Sequence, residues 1–228
     1  MGRRADSAGR TLYVPPKMRR SWILCLAAGS SFGVAPGASP EHLEALGYEN
    51  TNARERFNAG LPILRHALAG KLLGASDKVL QPLAPGLEDR MWQATFSVNG
   101  ATRAAKAGDG LMLSRIQPGT EVGELVGDRQ MPIIETYRDK LAAGVEPRIL
   151  ASRTAVVIDA ELLRYTGTYF GTVDEVTEQL AQDKAAAAST EVSFQVHSLD
   201  PGHELTMRSL ELLGTQVAPA LGWTVADV

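Results

Sequence analysis

The residues best placed to do chemistry in this chain are Ser97, Asn99 and Gly100, inside the stretch Trp92 to Arg115, WQATFSVNGATRAAKAGDGLMLSR. Apolar Met91 to Thr95 predicts a buried strand, and Phe96 to Gly100 a polar turn. Ala101 to Ala107 predicts a short alanine-rich helix stopped by Gly108, and Leu111 to Ser114 a second strand. In such a βαβ unit the helix start faces the carboxyl ends of parallel strands. Its first N–H groups lack helical partners and it carries the positive end of the macrodipole, so a phosphate fits there. Ser97 or Asn99 as the cap either bonds the helix's own first-turn N–H groups or lends a hydroxyl or amide to a bound phosphate. For most turns of this kind a satisfied cap is the whole story.

Other polar residues sit near strand ends. Thr95 closes the first strand, alternating with the core alongside Gln93, and Ser114 and Arg115 close the second. A solvated arginine is the commoner outcome at such a position. Of the four histidines, His197 falls at the end of a predicted strand and His203 shortly after it, while His42 and His66 carry no argument. No cysteine or carboxylate completes a metal-ligand spacing around them. There is no Walker glycine loop, Gly108 to Gly110 is not a dinucleotide fingerprint, and no G-x-S-x-G elbow nominates a nucleophile.

The elements that must position these residues alternate between apolar strand and amphipathic helix, which predicts a parallel α/β sheet of about five βα units. The predicted strands are Ile23 to Ala28, Met91 to Thr95, Leu111 to Ser114, Arg148 to Ile158 and Glu191 to Ser198. The helices are Thr51 to Ala69, broken or kinked at Pro62, then Ala101 to Ala107, Met131 to Ala143, Val173 to Ala187 and Glu204 to Ala218. Gly29 to Pro40 and Gln117 to Gln130 read as loop and linker. Five strands do not close an eight-stranded barrel, so the expectation is an open, partial (β/α)8 barrel. Its exposed edges favour self-association as a homodimer through Ile23 to Ala28; a doubly wound open sheet is the runner-up.

Residues 1 to 21 carry six basic side chains against Asp6 alone and read as a solvated tail. Residues 22 to 228 read as one domain. A secretory signal over residues 17 to 38 is the competing reading of the basic and apolar run. With 44% hydrophobic and 21% charged residues the composition is that of an ordinary soluble globular protein. A net charge of −3 offers no concentrated basic face for nucleic acid. The single cysteine, Cys25, suits a reducing compartment, and no apolar run reaches the ~20 residues of a membrane span, so the default location is the cytoplasm.

The stretch AAKAGDGLMLS resembles the middle of the luciferase-like monooxygenases, flavin-dependent (β/α)8 barrels of which this would be an FMN-type member. GTVDEV (Gly171 to Val176) is similar to that family's G-T-P-x-E-V helix start, and Thr190 to Trp223 to the C-terminal strand and helix of its FMN branch. LCLAAGSS (Leu24 to Ser31) is a weaker echo of its midpoint Gly-Ser turn. The resemblance spans Leu24 to Trp223. It implies reduced FMN, or a deazaflavin (F420) in its place, together with O2, an organic substrate and a flavin reductase as a possible supplier. It also implies that Ser97, Asn99 and Gly100 hold the flavin phosphate, with Thr95, Ser114 and Arg115 beside the cofactor and Arg115 available to phosphate or to a flavin carbonyl. Two departures stand against it. The family's early βα units, with a histidine often placed over the flavin ring, have no counterpart, and only AELLRYTGTYF stands where the family has a long excursion. No catalytic acid or base is therefore assigned. Two functions follow: an oxidoreductase whose chemistry belongs mainly to the cofactor, or a non-catalytic remnant or partner subunit that binds flavin weakly or not at all.

Overall fold

The computed structural model describes residues 31–36, 40–45, 47, 52–81, 83–121, 124–157, 169–196 and 202–223. Six parallel strands form the sheet: β1 (Phe32–Val34), β2 (Met91–Ala94), β3 (Gly110–Leu113), β4 (Ile149–Val157), β5 (Tyr169–Gly171) and β6 (Glu191–Gln195). Their order is β1-β2-β3-β4-β5, with β6 also paired to β4. Among the described residues the sheet does not close, and it is an α/β partial barrel. Its helices are α1 (Pro40–Ala45), α2 (Ala53–Leu68), α3 (Val98–Ala107), α4 (Val126–Lys140), α5 (Val173–Ala181), α6 (Lys184–Ala187), α7 (His203–Leu212) and the short α8 (Ala218–Ala220).

Two of these strands lie where the sequence suggested none. β1 falls inside the expected Gly29 to Pro40 loop, whereas the expected first strand, Ile23 to Ala28, lies outside the described residues, as does the tail 1 to 21. β5 is three residues long, too short to show a period. It ends at Gly171, whose φ of +143° suits glycine, and a Cβ there would stand 3.0 Å from that of Glu175. Glu175 is needed in that place, because it closes a capping box with Thr172 at the start of α5.

Helix boundaries follow their caps. Asn52 caps α2 by accepting from the N–H groups of Arg54 and Glu55, and the helix continues past Pro62 as one element. α4 starts five residues before the expected Met131. Its N-cap, Leu125, offers no side-chain bond and so no signal, and Pro132 sits in its second turn. The expected single helix Val173 to Ala187 breaks at Gln182, because Asp183 begins a new turn by accepting from the Ala186 N–H at 2.9 Å. The last helix passes through a π-type turn, Leu213–Val217, before α8.

Along each strand, residues alternate between a helix-facing side and a concave side. Leu111, Leu113 and Ile149 pack against α3 and α4 through Ala101, Ala104, Ile133, Ile134 and Tyr137. The alanines bring α3 close to the sheet. A second cluster packs Ala155, Val157, Val176, Leu180, Leu212 and Val217 beneath the far end of β4. A buried ion pair ties these layers together: Arg153 on β4 donates through Nε and Nη2 to Asp183 at 2.5 and 3.1 Å, and Tyr169 OH donates to the same carboxylate at 2.5 Å. Burial pushes the Asp183 carboxyl up, but the hydrogen bonds and charge of Arg153, with those of Tyr169 and Ala186, outweigh it and hold the group below the usual carboxylate value. Burial, then the Asp183 charge, raises the Tyr169 hydroxyl above the ordinary tyrosine value.

Candidate active site

Ser97, not Asn99, is the cap of α3. Its Oγ accepts from the Gly100 N–H at 3.3 Å, while its own N–H donates to Thr95 Oγ1 at 3.1 Å. Capping at Ser97 starts the helix at Val98, three residues earlier than alanine content suggested. Thr95 Oγ1 also lies 3.4 Å from Ser97 Oγ, so two hydroxyls brace one turn. Gly100 is buried against Thr95, and a Cβ there would stand 2.5 Å from Thr95 Cβ. The Val98 and Asn99 N–H groups, by their place in the first turn, have no acceptor within the helix. Asn99 is exposed beside them. The turn is therefore compact and points backbone N–H groups and the positive helix end toward the mouth at the strands' carboxyl ends.

Next to it, Ser114 ends β3, its Oγ accepting from the Ile116 N–H at 3.4 Å and its carbonyl from Gln130 Nε2 at 2.7 Å. Arg115 is exposed and its Nη1 donates to Gln195 Oε1 on β6. The six predicted site residues thus share one rim, with Thr95, Ser97, Asn99 and Gly100 on the β2 side of β3 and Arg115 reaching toward β6.

The concave face below this rim is graded. Toward the strands' amino ends, Trp92 lies over Gly110, and the Arg148 guanidinium sits 5.4 Å from the Trp92 ring centre while donating to the Gly108 carbonyl at 3.0 Å. Above this floor Ala94 stands in register with Met112 and Leu150, and Ser152 and Ser193, further toward the carboxyl ends, share a hydrogen bond of 3.0 Å. Thr154 and Gln195 stand in register above them. The concave face thus passes from Trp92 and Arg148 through Met112 and Leu150 to polar side chains at the carboxyl ends, where parallel α/β folds place their ligands.

Several residues in or under this architecture were not legible as site residues. Gln93 faces the helices, donating to Asp109 at 2.7 Å and accepting from Arg103 Nε at 2.8 Å, and Arg65 closes the group on Asp109 at 2.6 Å. Burial, then the nearby Arg54 charge, lowers the Arg103 pKa. This group anchors α2 and α3 to the back of β2. Gln117 donates to the Phe96 carbonyl at 2.9 Å and holds the loop after β3 against the α3 turn. Gln195 was discoverable only from the period-two pattern of Ser193 and Gln195, once the strand's inner face was known.

His197 lies outside the described residues, and His203 begins α7 exposed at the surface. Among the described residues no group of three or more His, Cys, Asp or Glu could hold a metal ion, and no helix is long and apolar enough to cross a membrane. A groove of about 370 Å³ lined by Val34, Ala35, Phe57, Gly60, Leu61 and Leu64 lies between β1 and α2.

An α/β partial barrel of parallel strands matches the barrel fold of luciferase-like monooxygenases, and this chain has that fold. Solved structures make the likeness specific. The chain is similar to the monooxygenase RslO1 from Streptomyces bottropensis, with a TM-score of 0.68 and 20% identity over 90% of this chain and 74% of that one. It is similar to the oxygenating constituent of 3,6-diketocamphane monooxygenase from Pseudomonas putida, solved with FMN, with a TM-score of 0.58 and 17% identity over 83% of this chain and 70% of that one. An F420-dependent secondary alcohol dehydrogenase, solved with an F420-acetone adduct, matches with a TM-score of 0.57 and 12% identity over 92% and 76%. No family model matches the chain, and no curated protein matches it.

Proposed function

We propose that the chain is a flavin-dependent oxidoreductase of the luciferase-like kind, using reduced FMN and O2 on a small organic substrate. The observation that carries this reading is the Thr95–Ser97–Gly100 turn, which presents the α3 N–H groups at the rim of the concave face. A phosphate fits the turn by its chemistry: the N–H groups donate, the helix end is positive, and Gly100 brings backbone close. Ser97 and Asn99 would contribute side-chain donors to it. FMN, when bound, supplies the redox chemistry with oxygen. The protein would bind its phosphate at the turn and line the concave face with Ala94, Met112, Leu150, Ser152 and Ser193 above Trp92 and Arg148.

The test is a fluorescence titration with FMN and, separately, with F420. Saturable FMN quenching supports the reading; F420 binding in its place moves the cofactor to the deazaflavin; neither binding overturns it. A second reading, a non-catalytic remnant or partner subunit that binds flavin weakly or not at all, is favoured by a sheet that does not close among the described residues. A site that reacts with oxygen must exclude water. On that second reading the isolated protein, supplied with reduced FMN, would release hydrogen peroxide with little oxygenated product. Efficient coupling to product would eliminate the second reading. The lone Cys25 supports a cytoplasmic setting.

A further inference from the structure

Both polar groups of one peptide unit at the rim are held. The Phe96–Ser97 peptide donates its N–H to Thr95 Oγ1 at 3.1 Å, and its carbonyl accepts from Gln117 Nε2 at 2.9 Å. This peptide leads into Ser97, the cap of α3, so its plane sets where the cap hydroxyl and the Val98 and Asn99 N–H groups point. Thr95 belongs to the turn itself, whereas Gln117 comes from the loop after β3, 21 residues on. That loop is pinned twice over. The Ser114 carbonyl accepts from Gln130 Nε2 at 2.7 Å, and the Gln117 carbonyl accepts from the Thr120 N–H at 3.2 Å and from the Thr120 hydroxyl at 2.7 Å. Gln117 therefore reaches Phe96 from a fixed base. Its other amide atom makes the arrangement costly, because Oε1 is buried and has no hydrogen-bond partner among the described residues. An apolar side chain of the same length would avoid that desolvation, and at the exposed rim the Phe96 carbonyl has water as an alternative partner. Stability does not account for the amide.

We propose that Gln117 is the positioning residue of the phosphate turn: by holding the Phe96 carbonyl it fixes the cap peptide, so that the first-turn N–H groups of α3 converge on one phosphate and the site selects flavins that carry one. This rests on reading that turn as the phosphate site of a flavin enzyme. Gln117 acts through the Phe96–Ser97 peptide and not on the flavin itself.

Fluorescence titration with FMN and with riboflavin, which lacks the phosphate, reads the proposal directly. Wild-type protein should bind FMN at least tenfold tighter than riboflavin. Gln117→Met keeps the length of the side chain and removes the donor. It should weaken FMN binding about fivefold, as expected for one lost hydrogen bond, while riboflavin affinity stays within twofold and the urea midpoint is unchanged. A purely structural role would lower the midpoint or weaken both flavins alike, and either result overturns the proposal, as does an unchanged FMN affinity. A wild-type preference for FMN near one overturns it too. Calorimetric titration with inorganic phosphate separates this proposal from the flavin reading. Phosphate binding that Gln117→Met weakens, in a protein that binds neither flavin, defeats that reading and sustains this one; binding of neither phosphate nor flavin defeats both.

Discussion

Replacing Gly100 by alanine sets two effects of known sign against each other. Gly100 is the third residue of α3, and alanine in a helix is favoured over glycine by about 1 kcal/mol, so propensity alone predicts a more stable protein. The structure predicts the reverse. The new Cβ would overlap the Thr95 hydroxyl and stand 2.5 Å from Thr95 Cβ and 3.0 Å from Cγ2, where real Cβ contacts essentially never fall under 3.0 Å. The β-branched Thr95 cannot rotate out of the way, because its own Cβ is among the clashing atoms. Overpacking of this kind costs about 1–3 kcal/mol, so after the helix gain the net effect is a loss of up to about 2 kcal/mol. Displacing Thr95 also releases Ser97, whose N–H it accepts, so flavin affinity should fall at least tenfold. Adding Thr95→Gly removes every clashing atom and should recover most of the stability lost to Gly100→Ala, beyond the cost of Thr95→Gly alone. Urea denaturation and FMN titration of the single and double variants measure both quantities. A more stable Gly100→Ala protein with unchanged FMN affinity would refute the packing of this turn and its role together.

Three further outcomes follow from named contacts. Ser97→Asp keeps a good helix cap but opposes a phosphate, so FMN affinity should fall at least tenfold with stability within about 0.5 kcal/mol; unchanged titration removes the turn as the phosphate site. Arg153→Met leaves Asp183 buried without its cation and should cost about 3–5 kcal/mol at neutral pH by urea denaturation. The pH dependence carries a sign. In the wild type the folded Asp183 pKa is depressed, so its contribution is present above the unfolded carboxylate value of about 3.9 and is lost as pH falls through the lower, folded value. In Arg153→Met, burial dominates and raises that pKa, so the variant should lose stability as pH rises above about 4; a parallel pH profile in both proteins would contradict the assignment. Gly127→Ala should destabilise, because its Cβ would stand 3.0 Å from Asp183 Cγ and 3.2 Å from the Ala185 nitrogen; a neutral melt would show that α4 shifts freely there.

Sequence determined the element types from local signals, though not every boundary. Alternation of apolar runs with amphipathic segments was enough for a parallel α/β sheet, and Gly108 marked a helix end and Gly171 to Val176 a helix start, while the sequence left the cap of α3 open between Ser97 and Asn99. The six candidate positions could be named from sequence for the same reason: each lies at a strand end or helix start, and the motif around them is contiguous. Tertiary structure decided what depends on neighbours distant in sequence. β5 exists because Ala155–Val157 offers it a ladder, and α4 starts early because its first turn packs its Gly127 against Asp183, about 56 residues away. Arg115 became a residue tied to β6 only through Gln195, 80 positions later. No periodicity could pair Arg153 with Asp183 or Gln93 with Asp109 and Arg103, since buried polar groups are satisfied by whichever partners the fold brings within hydrogen-bond range.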